Sequence, residues 1–331
     1  MRVRTALAFG LAFLLFPVGA VAAARTVVLV MFDGFAPAMV DATKTPNLDI
    51  IKKEGAWSRH LVPVYPTLSL PNHTSFVTGC WPEHHGVVHN RFFDPDRGEP
   101  YDENGDAGWM TGCEPAWAAA ERQGVRAAAL NFVSRWDVKK KVALASVVNP
   151  AVPWEQAETD EQVLARALAL LKRADAKRPR LISLYFRGPD HEAHVNGVTA
   201  PQTLAEVRKA DAIVGKLMAA IKALPAGREA TLVVGTDHGM VAVDPVINLG
   251  RIINRHWLYV RDGGEGGNAY LYLDKGESIE RVEKALAQYK DVFTVHRTGQ
   301  HPPYSRLGSS ARVGDLMLVT KPPYYIAPGS S

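Results

Sequence analysis

The fold turns on residues 25–34, Arg25-Thr26-Val27-Val28-Leu29-Val30-Met31-Phe32-Asp33-Gly34. A β-branched and apolar run stops abruptly on an acid and a glycine. A strand apolar on both faces must be covered on both, as in a parallel sheet sandwiched by helices. Ala127 to Phe132, Leu181 to Phe186 and Thr231 to Val234 read the same way. Helical patterns lie between them. Thr45-Pro46 supplies a cap and a first-turn proline for a helix running to Gly55. Glu161 to Lys172 forms another, and Leu204 to Leu224 puts Val207, Val214, Leu217, Met218, Ile221 and Leu224 on one face. This alternation predicts an α/β fold over residues 25–243, with a mostly parallel central sheet flanked by helices. From 244 to 310 short strands such as Ala269 to Leu273 and a helix at Ser278 to Tyr289 suggest a small inserted α+β cap. In the last segment, 311–331, Asp315 to Thr320 reads as a strand returning to the main sheet, followed by a tail.

Composition bounds the function. The chain has 331 residues, 47% hydrophobic and 22% charged, enough for a sizeable core and too apolar for disorder. The formal charge of +4 falls to +2 without Arg2 and Arg4, and the longest like-charge run is Lys139-Lys140-Lys141. Nothing there makes a groove for a nucleic-acid polymer. Met1 to Arg4 is basic, Thr5 to Ala24 carries no charge, and Ala20-Val21-Ala22 and Ala22-Ala23-Ala24 give small-x-small patterns. Residues 1–24 therefore read as a signal peptide of an exported, periplasmic or secreted protein, with a retained anchor as the alternative. No later segment is long and apolar enough to span a membrane. The two cysteines, Cys80 and Cys113, form either a disulfide or two buried thiols, and cannot build a cysteine-rich zinc site.

Ligands of open α/β sheets sit at the carboxyl ends of the strands. Strand one ends in Asp33-Gly34. The Leu181 strand ends in Arg187-Gly188-Pro189-Asp190-His191-Glu192-Ala193-His194, and the Thr231 strand in Gly235-Thr236-Asp237-His238-Gly239. Three strands thus deliver Asp and His to one edge. Each pair alone reads as a turn cap beside a satisfied histidine. Together they point to a metal, and mixed carboxylate and imidazole ligands suit zinc. A second signal runs from Val64 to Asn90 and includes Pro66-Thr67-Leu68-Ser69-Leu70-Pro71-Asn72-His73, Thr78-Gly79-Cys80-Trp81-Pro82-Glu83-His84-His85-Gly86 and Asn90. It places a hydroxyl at the mouth of a helix starting near Pro71, where the positive helix end favours an anion. By itself the serine reads as an N-cap.

These motifs, in this order, resemble the nucleotide pyrophosphatase/phosphodiesterase family of the alkaline phosphatase superfamily. The match covers about residues 26–240, with a weaker tail to Thr320. The resemblance implies an alkaline-phosphatase-like fold and an exported hydrolase of phosphodiester or pyrophosphate bonds in a small phosphate ester. It implies two Zn2+ ions. Asp33, Asp237, His238 and the Ser69 oxygen would hold one, and Asp190, His194 and a third histidine the other. Ser69 would be the nucleophile that forms a seryl phosphate, standing where the family has threonine; Thr67 is the rival hydroxyl. Asn90 and the backbone N–H of Leu70 would donate to phosphate oxygens.

Two departures matter. Leu70 and Val148 occupy the positions of an aromatic base clamp, where stacking is worth about 1–3 kcal/mol per base. Gly314 to Val319 matches the strand that precedes the family's last zinc histidine, yet no histidine follows His301. One zinc is then left with two protein ligands unless His301 fills the place. Two alternatives follow: a phosphomonoester, phosphonate or sulfate hydrolase of the same superfamily, or a non-catalytic remnant that binds phosphate or metal. His84, His85 and His89 read as structural or supporting. The oligomeric state is not specified.

Overall fold

The computed structural model describes residues 25–101, 106–137, 139–260 and 266–327. The expected signal peptide, 1–24, lies outside the described residues. Five strands build the central sheet: β1 (Thr26–Phe32), β2 (Ala127–Leu130), β3 (Val147–Val148), β4 (Leu181–Phe186) and β5 (Ala230–Thr236). All are parallel, in the spatial order β3-β2-β4-β1-β5. β1 has neighbours on both sides, so Met31 lies opposite Tyr185 on one flank and Gly235 on the other.

The helices explain why β1 is apolar throughout. In chain order they include α1 (Pro46–Glu54), α2 (Ser69–Thr78), α3 (Asp160–Leu171), α4 (Asp190–Asn196), α5 (Pro201–Lys222) and α6 (Ile279–Leu286). Val28, Val30 and Phe32 pack with Leu164 and Leu171 of α3 and Val214 and Leu217 of α5. Met31 and Tyr185 face the other way, onto Val77 of α2 and Trp117. Each fully buried side chain of this size contributes about 1.5–3 kcal/mol. α3 starts where the sequence stops being extended, because Thr159 and Gln162 close a capping box.

The second sheet overturns one expectation. It contains β6 (Leu258–Val260), β7 (Asn268–Leu273), β8 (Phe293–Arg297) and β9 (Leu316–Thr320), antiparallel in the order β6-β7-β9-β8. β9 was expected to rejoin the main sheet; it lies between β7 and β8 instead. The reason is that its two faces have different partners. Leu316 and Leu318 pack with Val282 and Leu286 of α6, whereas Met317 faces Leu70, Val87, Val88 and Phe92. Apolarity on both faces says that a strand is covered, not which sheet it joins. The second sheet is thereby pressed against the segment that follows Ser69.

Cys80 and Cys113 form a disulfide. It ties the chain just beyond α2 to the segment leading into the helix Ala116–Arg122. Among the described residues no helix is long and apolar enough to cross a membrane.

Candidate active site and metal centre

Ser69 is the first residue of α2. The N-cap is Leu68, and no side chain caps this helix, so the reading of Ser69 as a cap does not hold. Its Oγ points into the sheet edge, 3.1 Å from His238 Nε2 and 3.4 Å from Asp33 Oδ1. Asn72, one turn into the helix, holds the approach. Its Oδ1 accepts the Val64 N–H at 2.7 Å, and its Nδ2 donates to the Leu68 and Pro66 carbonyls at 2.8 and 3.1 Å.

Three strand ends meet there. Asp33, Asp237 and His238 are buried, and one potential ligand atom from each lies within 4.8 Å of the others. His238 Nε2 is 3.2 Å from Asp33 Oδ1 and 3.7 Å from Asp237 Oδ2. Its Nδ1 lies 2.8 Å from the Gly239 carbonyl, so that nitrogen carries the donated proton and Nε2 is left to the cluster. Asp237 Oδ1 accepts the Gly34 N–H at 3.1 Å and the His238 N–H at 2.8 Å. The Tyr185 hydroxyl donates to Asp33 Oδ2. Gly34 has φ 62°, and a Cβ there would come within 2.7 Å of Asp190 Oδ1. A glycine after Asp33 is what lets Asp190 close up on the site.

The charges are unbalanced. Burial, and then the charge of Asp33, push the Asp190 carboxyl up to about 7. Burial and Asp237 raise Asp33. Burial also works against ionised Asp237, but His238 and His73 outweigh it and hold the group at about 2. For His238 burial opposes the charge, and Asp237 and Asp33 more than compensate, lifting it to about 10. Asp190 Oδ1 is buried without a hydrogen-bond partner. Three crowded carboxylates around one imidazole are a donor set that a divalent cation would neutralise, and Asp33, Asp237 and His238 fit such an ion.

Asp190 and His194 are less complete. His194 Nε2 lies 3.5 Å from Asp190 Oδ1, and the histidine is largely exposed. Among the described residues, no group of three metal-capable side chains includes this pair. His301 Nδ1 lies 3.2 Å from the Gly308 carbonyl, and burial holds its imidazole below the usual histidine value.

Asn90 departs from expectation in one respect. Its Oδ1 accepts the Leu70 N–H at 2.9 Å. That N–H, expected to donate to a phosphate oxygen, instead fixes the amide so that Nδ2 is its donor side. Leu70 itself is buried with Val87, Tyr270 and Met317, and Val148 packs against the Ala127 and Ala129 cluster. Neither presents an aromatic face. His85 accepts the Val87 N–H on Nδ1 at 3.1 Å and meets Ser75 Oγ at 2.8 Å through Nε2.

Three supporting residues are given no role by the motifs themselves: His73, Tyr185 and Asn72, the first and last of which stand inside the Ser69 motif. His73 Nε2 meets Asp237 Oδ2 at 3.0 Å. The signal for it was present, because four residues after Ser69 is the same face of a helix. Tyr185 is the lone hydroxyl-bearing aromatic in an otherwise apolar strand end.

Residues 27–331 match the family model of type I phosphodiesterase / nucleotide pyrophosphatase. The chain belongs to that family. Its relatives in the type I phosphodiesterase family are phosphodiesterase-type hydrolases. Human ectonucleotide pyrophosphatase/phosphodiesterase family member 7 is 27% identical over 326 residues, 94% of this chain and 69% of the relative. Human family member 1 is 32% identical over 202 residues, 59% of this chain. That match spans only 21% of the length of family member 1. Murine ectonucleotide pyrophosphatase/phosphodiesterase 5 superposes with a TM-score of 0.81 at 24% identity, covering 92% of this chain and 81% of that one. An inactive variant of the same murine protein, in complex with AMP, superposes with a TM-score of 0.80 at 23% identity, covering 93% of this chain and 81% of that one. At these identities the superpositions establish the fold.

Proposed function

We propose that this chain is an exported, zinc-dependent hydrolase of phosphodiester or pyrophosphate bonds in small phosphate esters, working through a seryl phosphate on Ser69. One observation carries the reading: Ser69 Oγ stands 3.1 Å from His238 Nε2, at the rim of the buried Asp33, Asp237 and His238 group. Asp33, Asp237, His238 and the Ser69 oxygen would hold one zinc, and Asp190 and His194 would contribute to a second. Bound zinc supplies Lewis acidity, lowering the pKa of the serine hydroxyl and of water and offsetting phosphoryl charge.

The chain's own groups do the rest. Ser69 Oγ forms a bond to phosphorus as the bond to the leaving oxygen breaks, and the serine proton ends on the leaving group. Water then attacks the seryl phosphate, frees the Ser69 oxygen and returns a proton to it. Asn90 Nδ2 donates to a non-bridging oxygen, a contact worth about 3 kcal/mol of barrier. With Leu70 buried and no aromatic at Val148, the phosphoryl group rather than a base carries recognition. Export is supported by the signal-like segment 1–24 and by the ectoenzyme relatives.

The test is a zinc count on purified protein together with hydrolysis of bis(p-nitrophenyl) phosphate, in wild type and Ser69→Ala. Two zinc per chain and Ser69-dependent diester cleavage are expected. Fewer than two zinc with no turnover would make the chain a binding remnant. Preference for p-nitrophenyl phosphate over the diester would move it to the monoesterases.

A further inference from the structure

We infer that Tyr270 and Tyr272 are positioning residues through which the second sheet sets Asn90. The inference rests on the donor role given to Asn90 above. The Tyr270 hydroxyl donates to the Val88 carbonyl at 2.8 Å, two residues before Asn90. The Tyr272 hydroxyl accepts the Phe93 N–H at 3.0 Å, three residues after it, and donates to the Arg312 carbonyl at 2.6 Å. Two apart on β7, the tyrosines share one face of the strand. Both rings are buried, with 1% and 3% exposure.

The ring contacts act on the same segment. The Tyr270 ring meets the His89 ring edge-on at 5.5 Å, and Tyr272 meets Phe93 at 6.0 Å. Between the two anchors, His89 Nδ1 accepts the Arg91 N–H at 3.1 Å and tightens the chain around Asn90. Asn90 in turn grips the Leu70 N–H in the first turn of α2. The amide is therefore fixed to the serine helix by its own oxygen and to the second sheet by the backbone on either side. Packing alone would be served by phenylalanine. The two hydroxyls are spent on backbone groups flanking Asn90, buried at Val88 and partly buried at Phe93, which would otherwise lose a partner. Displacing a catalytic donor by about 1 Å costs on the order of 100-fold in rate.

The test uses Tyr270→Phe, Tyr272→Phe and the double variant, each alone and combined with Asn90→Ala. Three readouts apply: zinc content, kinetics on bis(p-nitrophenyl) phosphate, and the rate ratio for the two diastereomers of a thymidine p-nitrophenyl phosphorothioate. The double Phe variant should lose about 10- to 100-fold in kcat at full zinc content. It should shift the diastereomer ratio in the same direction as Asn90→Ala. On the Asn90→Ala background the Phe changes should cost less than threefold. Full additivity, or an unchanged diastereomer ratio, overturns the inference. If wild type has no activity, the proposed function fails, and amide hydrogen exchange still decides the clamp. Arg91 and Phe93 should exchange at least tenfold faster in the double Phe variant, and equal rates would overturn it.

Discussion

His73 Nε2 stands 3.0 Å from Asp237 Oδ2, and both side chains are almost wholly buried. The contact joins the serine helix to the strand end that supplies two of the three clustered ligands. A buried group that orients a ligating carboxylate typically changes metal affinity by about 10- to 100-fold. His73→Phe keeps the edge-on contacts with Tyr185 and Phe132 at 4.3 and 5.8 Å and removes only the polar one. We expect zinc affinity, measured by competition with a chelator, to fall by about that factor. Unchanged affinity would make His73 an ordinary core histidine.

Ser69→Ala should lower kcat by at least about 10³-fold while far-UV circular dichroism stays unchanged. The fold is expected to survive because Leu68, not Ser69, caps α2. Thr67 offers the rival hydroxyl, but it is exposed. An unchanged kcat in Ser69→Ala would shift the nucleophile there.

Asn90→Ala separates a donor from a scaffold. Loss of one phosphoryl-oxygen donor costs about 10²–10³ in kcat. The zinc count should match wild type, because the Asn90 amide oxygen is bonded to the Leu70 N–H and not to a clustered ligand. A fall in zinc content alongside the rate would make the residue structural.

Much of this was legible in the sequence because the sheet is parallel. β1 and β4 are apolar on both faces, so their ends are sharp, and the sequence pattern alone puts Asp33 and Asp190 at one edge of the sheet. β3 could not be read this way, since two residues carry no period. β9 reads from the sequence as a main-sheet strand and lies in the second sheet, because Met317 and Leu318 are equally apolar and only their partners differ. The partners of His73 and Tyr185 were hidden for another reason. Each contacts a residue more than 150 positions away, Asp237 and Asp33, and nothing local marks such a pair.

The Cys80–Cys113 disulfide closes a loop with a sequence separation of 33. Chain entropy alone gives such a crosslink about 4 kcal/mol. Replacing both cysteines with serine should lower the free energy of unfolding by roughly this amount in urea titrations. Activity of the folded fraction should stay within about twofold, since Cys80 lies beyond the far end of α2 from Ser69. Equal unfolding midpoints for the two proteins would show that the crosslink adds nothing.

Acid sensitivity should trace to His85. Burial, together with the charges of His84 and Arg312, holds its imidazole down at about 3, against 6.5 for an unhindered histidine. Both ring nitrogens are used in the neutral form: Nδ1 accepts from Val87, and Nε2 meets Ser75 Oγ. The folded state therefore binds fewer protons here than the unfolded state between about pH 3 and 6.5. The contribution of His85 is fully present above the unfolded value and is lost as pH falls through that window. From pH 7.5 to 5 the loss is on the order of 2 kcal/mol. In the metal-free protein Asp190, raised to about 7, acts with the opposite sign over the same range, because its folded form holds the extra proton. Wild type alone would therefore show a blunted pH dependence. The comparison with His85→Asn removes the histidine and leaves Asp190 in place, so the difference between their unfolding free energies should shrink by about 2 kcal/mol on going from pH 7.5 to 5. Parallel profiles would mean that His85 takes up its proton in the folded protein without cost.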